Sequence, residues 1–298
     1  MFGVYFGKYL VGKGVLTNEQ YKSILADSKN TRVKLGLLAV ESGGMTPEQA
    51  EEVTQLQQIE DKRFGDIAVE KGYLTDAQVG TLLKKQGDEY LLFVQTLVEK
   101  NILTLEQIQK QLNAYKKSQR FTALDVDAIK SGDIDQIVQV FTKPDYIPPM
   151  IKDYIALVAR NMVRFIDRQF RIERVEKINS YTTQYVSAQE LDGDYKVFTG
   201  FCGDGAGIKY IAECFAKEEF ETVDLDVLDA ACEFLNCNNG LYATKLCNED
   251  IDLDMLPPVM KDTETTIQSD GNMFKVPLFI KDHEVDLIIC IESKWILD

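Results

Sequence analysis

Asp229, Glu233 and Asn236 stand four and three residues apart in Asp229-Ala-Ala-Cys-Glu233-Phe-Leu-Asn236, so a helix places them in one stripe. At about 100° per residue, Leu228, Ala231, Cys232 and Leu235 cluster on another stripe roughly a quarter turn away. A helix that buries the apolar stripe holds the polar one rigidly at its exposed edge. Asparagine costs helix propensity at such a position, which points to a role. On spacing alone the stripe still reads as polar surface.

Other chemistry finds fewer residues. The single histidine, His283, leaves a Ser-His-Asp or Cys-His hydrolase hard to build and is expected in a turn between strands. All six cysteines (Cys202, Cys214, Cys232, Cys237, Cys247, Cys290) lie in the second half without a C-x-x-C pair. They are expected to be reduced and mostly buried, and no metal site is expected. Gly203-Asp204-Gly205-Ala206-Gly207 follows a strand and opens a helix, but it lacks the third glycine of a dinucleotide loop, and Asp204 repels phosphate. A tight strand-to-helix turn explains it.

The elements that must position these residues follow from periodicity. Strands are expected at 175–191, 196–201, 242–251, 265–267, 274–280 and 285–292, with helices at 208–215 and 225–238. One antiparallel sheet with helices on a face makes this half α+β. Residues 153–171 read as one long amphipathic helix. Its Arg160, Arg164, Arg168 and Arg171 form a basic stripe, taken as a solvated face.

The first half is a repeat array. Gly7, Gly36 and Gly65 recur every 29 residues, as do Gly14, Gly43, Gly72 and then Asn101. Thr17, Thr46, Thr75 and Thr104 keep the same step, each with a glutamine three residues on (Gln20, Gln49, Gln78, Gln107). Thr at the cap with Gln three residues later is a capping box. Each unit is therefore a helix, a glycine turn and a second helix, and the copies must pack on one another. Three parts result: helical repeats over 1–116, a helical connector over 117–148, and an α+β domain over 149–298.

Charge divides the same way. Residues 1–190 carry 25 acidic and 25 basic side chains, whereas residues 191–298 carry 23 and 8, so the net charge of −15 sits in the second half. An acidic half repels phosphate backbones and anionic membrane, so no nucleic acid is expected as a partner, and a basic-rimmed partner suits it better. No apolar run approaches the roughly 18 residues of a membrane helix, so no membrane insertion is expected. The N-terminus (MFGVYFGKYLVGKG) lacks a basic region followed by an apolar core. The protein is expected to be cytoplasmic.

The repeats resemble the N-terminal domain of type II secretion and type IV pilus ATPases (GspE, MshE). The third copy matches that pattern at Arg63, Phe64, Gly65, Gly72, Leu74, Val79, Leu82, Leu83 and Gln86. The second matches at Lys34, Leu35, Gly36, Gly43, Met45 and Gln57, whereas the fourth carries Val94 and Asn101 at the glycine positions. Some members of that family bind cyclic di-GMP through two consecutive motifs. That resemblance implies a ligand site at Lys34, Gly36, Arg63, Gly65 and Gly72. The residues themselves also fit a helical docking module whose glycines serve turns. No G-x-x-x-x-G-K-[ST] loop occurs, so the motor of those ATPases is not in this sequence.

The Asp229–Asn236 stripe followed about twenty residues later by proline (Pro257, Pro258) is similar to the signature of the CheC–FliY–CheX chemotaxis phosphatases. One such helix, after a helix without the motif, looks like the CheX layout over 149–298. What this resemblance implies is a protein phosphatase acting on the aspartyl phosphate of a CheY-type response regulator in two-component signalling. Asn236 would hold the attacking water, Glu233 would pair with the regulator's lysine, and Asp229 would serve as a charge at the helix N-terminus. Mg²⁺ is expected on the regulator, and this chain needs no cofactor of its own. The resemblance also implies a homodimer through sheet edges. The alternative is a non-catalytic signalling scaffold, or a binding protein that responds to cyclic di-GMP.

Overall fold

The computed structural model describes residues 1–27, 33–60, 62–84, 88–292 and 295–297. The chain divides into two compact units, Met1–Gly132 and Asp133–Asp298, with the division inside the segment expected as a connector.

The first unit is all helix: α1 (Phe2–Gly12), α2 (Asn18–Asp27), α3 (Leu35–Glu41), α4 (Pro47–Glu60), α5 (Phe64–Glu70), α6 (Asp76–Lys84), α7 (Glu89–Glu99), α8 (Leu105–Gln119) and α9 (Ala123–Ser131). The period is physical. Thr17, Thr46, Thr75 and Thr104 each exchange two hydrogen bonds with the glutamine three residues on, so all four capping boxes form. Gly14, Gly43 and Gly72 turn the chain at φ near +70°, and Asn101 takes that place in the fourth copy at φ 54°. Gly7, Gly36 and Gly65 do something different. A Cβ on Gly65 would lie 2.9 Å from Val79 Cγ1 of the paired helix, and one on Gly7 would lie 2.5 Å from the Tyr21 ring. These glycines let adjacent helices touch.

The second unit is α+β. In order it contains α10 (Ile134–Phe141), α11 (Pro149–Asn161), a π-helical turn (Met162–Ile166), β1 (Phe170–Ile172), β2 (Glu176–Thr183), β3 (Tyr185–Gly193) and β4 (Val197–Gly203). It continues with α12 (Ala206–Ala216), α13 (Leu225–Cys247), β5 (Leu253–Met255), β6 (Val259–Lys261), β7 (Thr265–Ile280), β8 (His283–Ile291) and β9 (Trp295–Leu297). The sheet is antiparallel with strand order β1-β7-β8-β4-β3-β5. β2 and β9 also pair with β7, and β6 pairs with β3. β3 is buried on both faces. Ser187 and Gln189 face α13, while Val186 and Ala188 join Phe198, Cys202, Met273 and Ile288 on the other side, beside Ile178, Tyr181 and Trp295.

Several expectations change. The strand expected at 242–251 is helix as far as Cys247, because Leu235, Asn239, Tyr242 and Leu246 continue one buried stripe at helical spacing. Its tyrosine hydroxyl donates to the Met150 carbonyl at 2.8 Å, and the Tyr154 and Tyr242 rings meet edge to face with centroids 5.0 Å apart. Residues 153–171 are not one helix. α11 ends in a π turn closed by the Asp167 N–H on the Met162 carbonyl, and Asp167 is held by Tyr210 and Lys281. Arg168 and Arg171 therefore leave the supposed stripe, and the Arg171 guanidinium lies 3.7 Å from the Phe279 ring centroid. The two expected strands at 265–267 and 274–280 are one strand, β7. The expected strand at 175–191 breaks at Gln184, giving β2 and β3 different neighbours. Residues 117–119, expected to be connector, are the end of α8.

The glycine-rich turn forms as expected. Gly205 adopts φ 93°, and a Cβ on Gly207 would meet the Glu284 carbonyl oxygen at 2.3 Å, so α12 packs against β8 backbone. His283 follows the turn between β7 and β8 and stacks on Tyr210 with ring centroids 4.9 Å apart.

Candidate functional site

α13 begins at Asp224, whose side chain accepts the Val227 N–H at 3.2 Å. With Asp226 in the first turn, these two acids occupy the positive end of the helix dipole. Asp229 lies in the second turn, beyond that reach, so the N-terminal charge expected of it is supplied by its neighbours. Leu228, Cys232, Leu235, Asn239, Tyr242 and Leu246 anchor the buried side of the helix.

The stripe emerges as its spacing implies. Asp229 and Glu233 are exposed and Asn236 is half-buried at the helix edge. Glu233 makes no ion pair among the described residues, so its carboxylate is available to a partner's cation. Asn236 is held. Its Oδ1 accepts the Gln189 Nε2 amide at 3.0 Å, while its Nδ2 has no protein acceptor among the described residues and keeps contact with solvent. The exposed Met255 and Leu256 border it, with Met255 Cε 3.6 Å from the Cβ position of Gly240, one turn past Asn236.

Behind Asn236 runs a buried polar chain. Tyr154 donates to Asn239 Oδ1 at 2.6 Å, Asn239 Nδ2 donates to Gln189 Oε1 at 2.9 Å, and Gln189 Nε2 also donates to the Leu256 carbonyl at 2.9 Å. Asn239 Nδ2 further donates to Thr199 Oγ1 at 3.0 Å. Burial pushes the Tyr154 phenol well above its usual range, so it stays a neutral donor. Sequence reasoning did not single out Gln189, Asn239, Thr199 or Tyr154. The available signal was the run Asn236-Cys-Asn238-Asn239, since three asparagines in four helical positions need partners that polar surface does not require.

The thiols beside the site are quiet. Burial, reinforced by Asp229 and Glu233, outweighs the Ser187 hydrogen bond and pushes Cys232 up to about 12; burial and then Glu233 raise the exposed Cys237. Neutral thiols at ordinary pH are poor nucleophiles. Among the described residues no cluster of three or more His, Cys, Asp or Glu side chains has the geometry to hold a metal ion.

The positions matched to a dinucleotide site part company in the first unit. Lys34 and Gly36 line a cleft of about 710 Å³ with Gln57, Phe64, Gln95 and Glu99. The Lys34 N–H donates to Gln95 Oε1 at 2.6 Å, and its ammonium pairs with Glu99 at 2.6 Å. Arg63 is exposed at the cap of α5, and Arg63, Gly65 and Gly72 do not line this cleft. Gly36 faces Phe64, 3.1 Å from its Cβ position, and Gly72 is a turn residue. Gln86, a further position of the repeat comparison, lies outside the described residues.

Residues 185–280 match the family model described as chemotaxis phosphatase CheX. The C-terminal unit is CheX-like. That match spans β3 to β7 and includes α13, with its stripe and the Gln189 chain. A CheC-like superfamily protein from Shewanella sp. PV-4 is 17% identical, covering 48% of this chain and 97% of its own, with a TM-score of 0.43. The chemotaxis protein CheX from Vibrio vulnificus is 16% identical over 49% of this chain and 100% of its own, TM-score 0.43. A structure of the CheX–CheY–BeF3–Mg complex from Borrelia burgdorferi matches at 14% identity, covering 50% of this chain and 99% of its own, TM-score 0.36. No curated protein matches the chain. No helix among the described residues is long and apolar enough to cross a membrane.

Proposed function

We propose that the C-terminal unit hydrolyses the aspartyl phosphate of a CheY-type response regulator. The observation that carries this reading is the held carboxamide of Asn236, one turn from the unpaired Glu233, on a helix within the CheX match. Acyl-phosphate hydrolysis needs an aligned water and charge neutralisation more than it needs a protein nucleophile. The regulator contributes Mg²⁺ and a lysine around its phosphate. Asn236 Nδ2 donates to the water oxygen, and the remaining lone pair of Oδ1 accepts one of its hydrogens. The water oxygen bonds to phosphorus as the bond to the regulator's aspartate oxygen breaks. Inorganic phosphate leaves with the water's proton, and the aspartate returns to carboxylate. Glu233 pairs with the regulator's lysine and sets the docking register, while Met255 and Leu256 give the contact an apolar edge.

The excess negative charge of residues 191–298 suits a regulator whose active-site rim is basic. Asn236→Ala tests the proposal, because it should abolish acceleration of dephosphorylation while leaving association with the regulator in place. Loss of association in that variant would instead favour a docking surface without catalysis.

For the first unit we infer a helical docking module of the kind found at the N-terminus of secretion ATPases. Gly36 and Gly65 meet Phe64 and Val79 at their Cβ positions, which accounts for both glycines through helix packing. Calorimetric titration of the full chain with cyclic di-GMP separates this reading from a ligand-responsive one. Heat that disappears in Lys34→Ala would favour the dinucleotide.

A further inference from the structure

We propose that Gln189 is a positioning residue for Asn236, and that the break made by Pro257 and Pro258 lets it act. The inference deepens the phosphatase reading and rests on it.

Ala188 pairs with Val259 and Leu191 with Met255, so two residues of β3 (Gln189, Glu190) face three of the opposite chain (Leu256, Pro257, Pro258). Prolines 257 and 258 have no N–H, so the ladder cannot continue across them. The Leu256 N–H still donates to the Glu190 carbonyl at 2.9 Å, but the Leu256 carbonyl turns to the Gln189 side chain. A backbone carbonyl only accepts. It therefore fixes which end of the Gln189 amide is nitrogen, without reference to any other side chain.

That assignment propagates. With Nε2 toward Leu256, its second hydrogen goes to Asn236, which must present Oδ1. Gln189 Oε1 then faces Asn239 Nδ2, leaving Asn239 Oδ1 for the Tyr154 hydroxyl. Gln189 is 4% exposed and Asn239 is 0% exposed, so flipping either amide would leave buried polar atoms unpaired. One orientation of Asn236 survives, with Nδ2 outward at the helix edge. The proline element of the motif and its asparagine are thus connected through a residue that the motif does not contain.

The test uses the full chain and a phosphorylated CheY-type regulator. Gln189→Met keeps the length and removes all three hydrogen bonds. It should lower kcat about tenfold or more while KM stays within about twofold, since misplacing a catalytic group by about 1 Å costs up to about a hundredfold. A purely structural role would instead lower the folded fraction and leave kcat per folded molecule unchanged, which overturns the proposal. If the variant does not fold, NMR on the unmodified protein decides. The Asn236 side-chain amide should be as ordered as the backbone of α13, and rotamer averaging there contradicts the proposal. If wild-type protein accelerates no regulator's decay but the Asn236 amide is rigid, the phosphatase reading fails and the positioning geometry stands.

Discussion

Glu233 and Asn236 stand three residues apart on one edge of α13, the carboxylate exposed and without an ion pair among the described residues, the carboxamide fixed by Gln189 at 3.0 Å. One group is available to meet a charge, and the other is oriented before any partner arrives. On the proposed phosphatase reading, recognition falls to Glu233 and chemistry to Asn236, and the two roles should separate kinetically.

Glu233→Gln should raise KM for the phosphorylated regulator several-fold and weaken the salt dependence of association, with a smaller effect on kcat. Its stability should stay within about 0.5 kcal/mol of wild type, because the side chain is exposed and unpaired. Stopped-flow association at low and high ionic strength measures this. Unchanged KM and salt dependence would remove Glu233 from the docking contact.

Tyr154→Phe deletes the shortest hydrogen bond of the buried chain and leaves Asn239 Oδ1 with only the Thr199 hydroxyl at 3.2 Å. The expected cost is about 1–3 kcal/mol of unfolding free energy for the unit, read from denaturant titration. A loss below a few tenths would mean that the Tyr154–Asn239 bond does not support the network.

Gly65→Ala and Gly72→Ala should both destabilise the first unit, for different reasons. The first drives a methyl against Val79 at 2.9 Å and should cost about 1–3 kcal/mol through overpacking. The second has open space but φ +70°, so its cost of about 1 kcal/mol is backbone strain. Shortening Val79 to Ala should relieve the first and leave the second untouched. Thermal unfolding of the single and double variants tests this, and equal rescue of both would contradict the distinction.

Iodoacetamide should label Cys237 and Cys247 ahead of Cys202, Cys232 and Cys290, the exposed thiols ahead of the buried ones. Burial, then Glu233, raises the Cys237 pKa, and a hydrogen bond with Asp252 and its charge raise that of Cys247. A raised pKa means less thiolate at neutral pH, so labelling should quicken as pH rises above 8. Alkylation of Cys237, next to Asn236, should also suppress phosphatase activity in a Cys247→Ser background. Mass spectrometry of timed samples would show otherwise if Cys232 reacted first.

Much of this was legible in the sequence, for identifiable reasons. The capping boxes and left-handed turns of the first unit are local, so four copies in register disclose them without reference to packing. The Asp229–Glu233–Asn236 stripe was likewise local to one helix. Where tertiary burial decides the element, the sequence misleads: 242–251 reads as a strand, but Tyr242 and Leu246 extend a helical stripe that begins at Leu228. The Gln189 chain was out of reach because its members lie on β3, β4, α11 and α13, and nothing in their spacing brings them together.

The most direct measurement is the decay of a phosphorylated CheY-type regulator with and without the protein, alongside Asn236→Ala. Decay should be faster with wild-type protein and return to the intrinsic rate with the variant, while variant and regulator still associate. Equal acceleration by both proteins would contradict the proposed mechanism, as would no acceleration of any CheY-type regulator that binds.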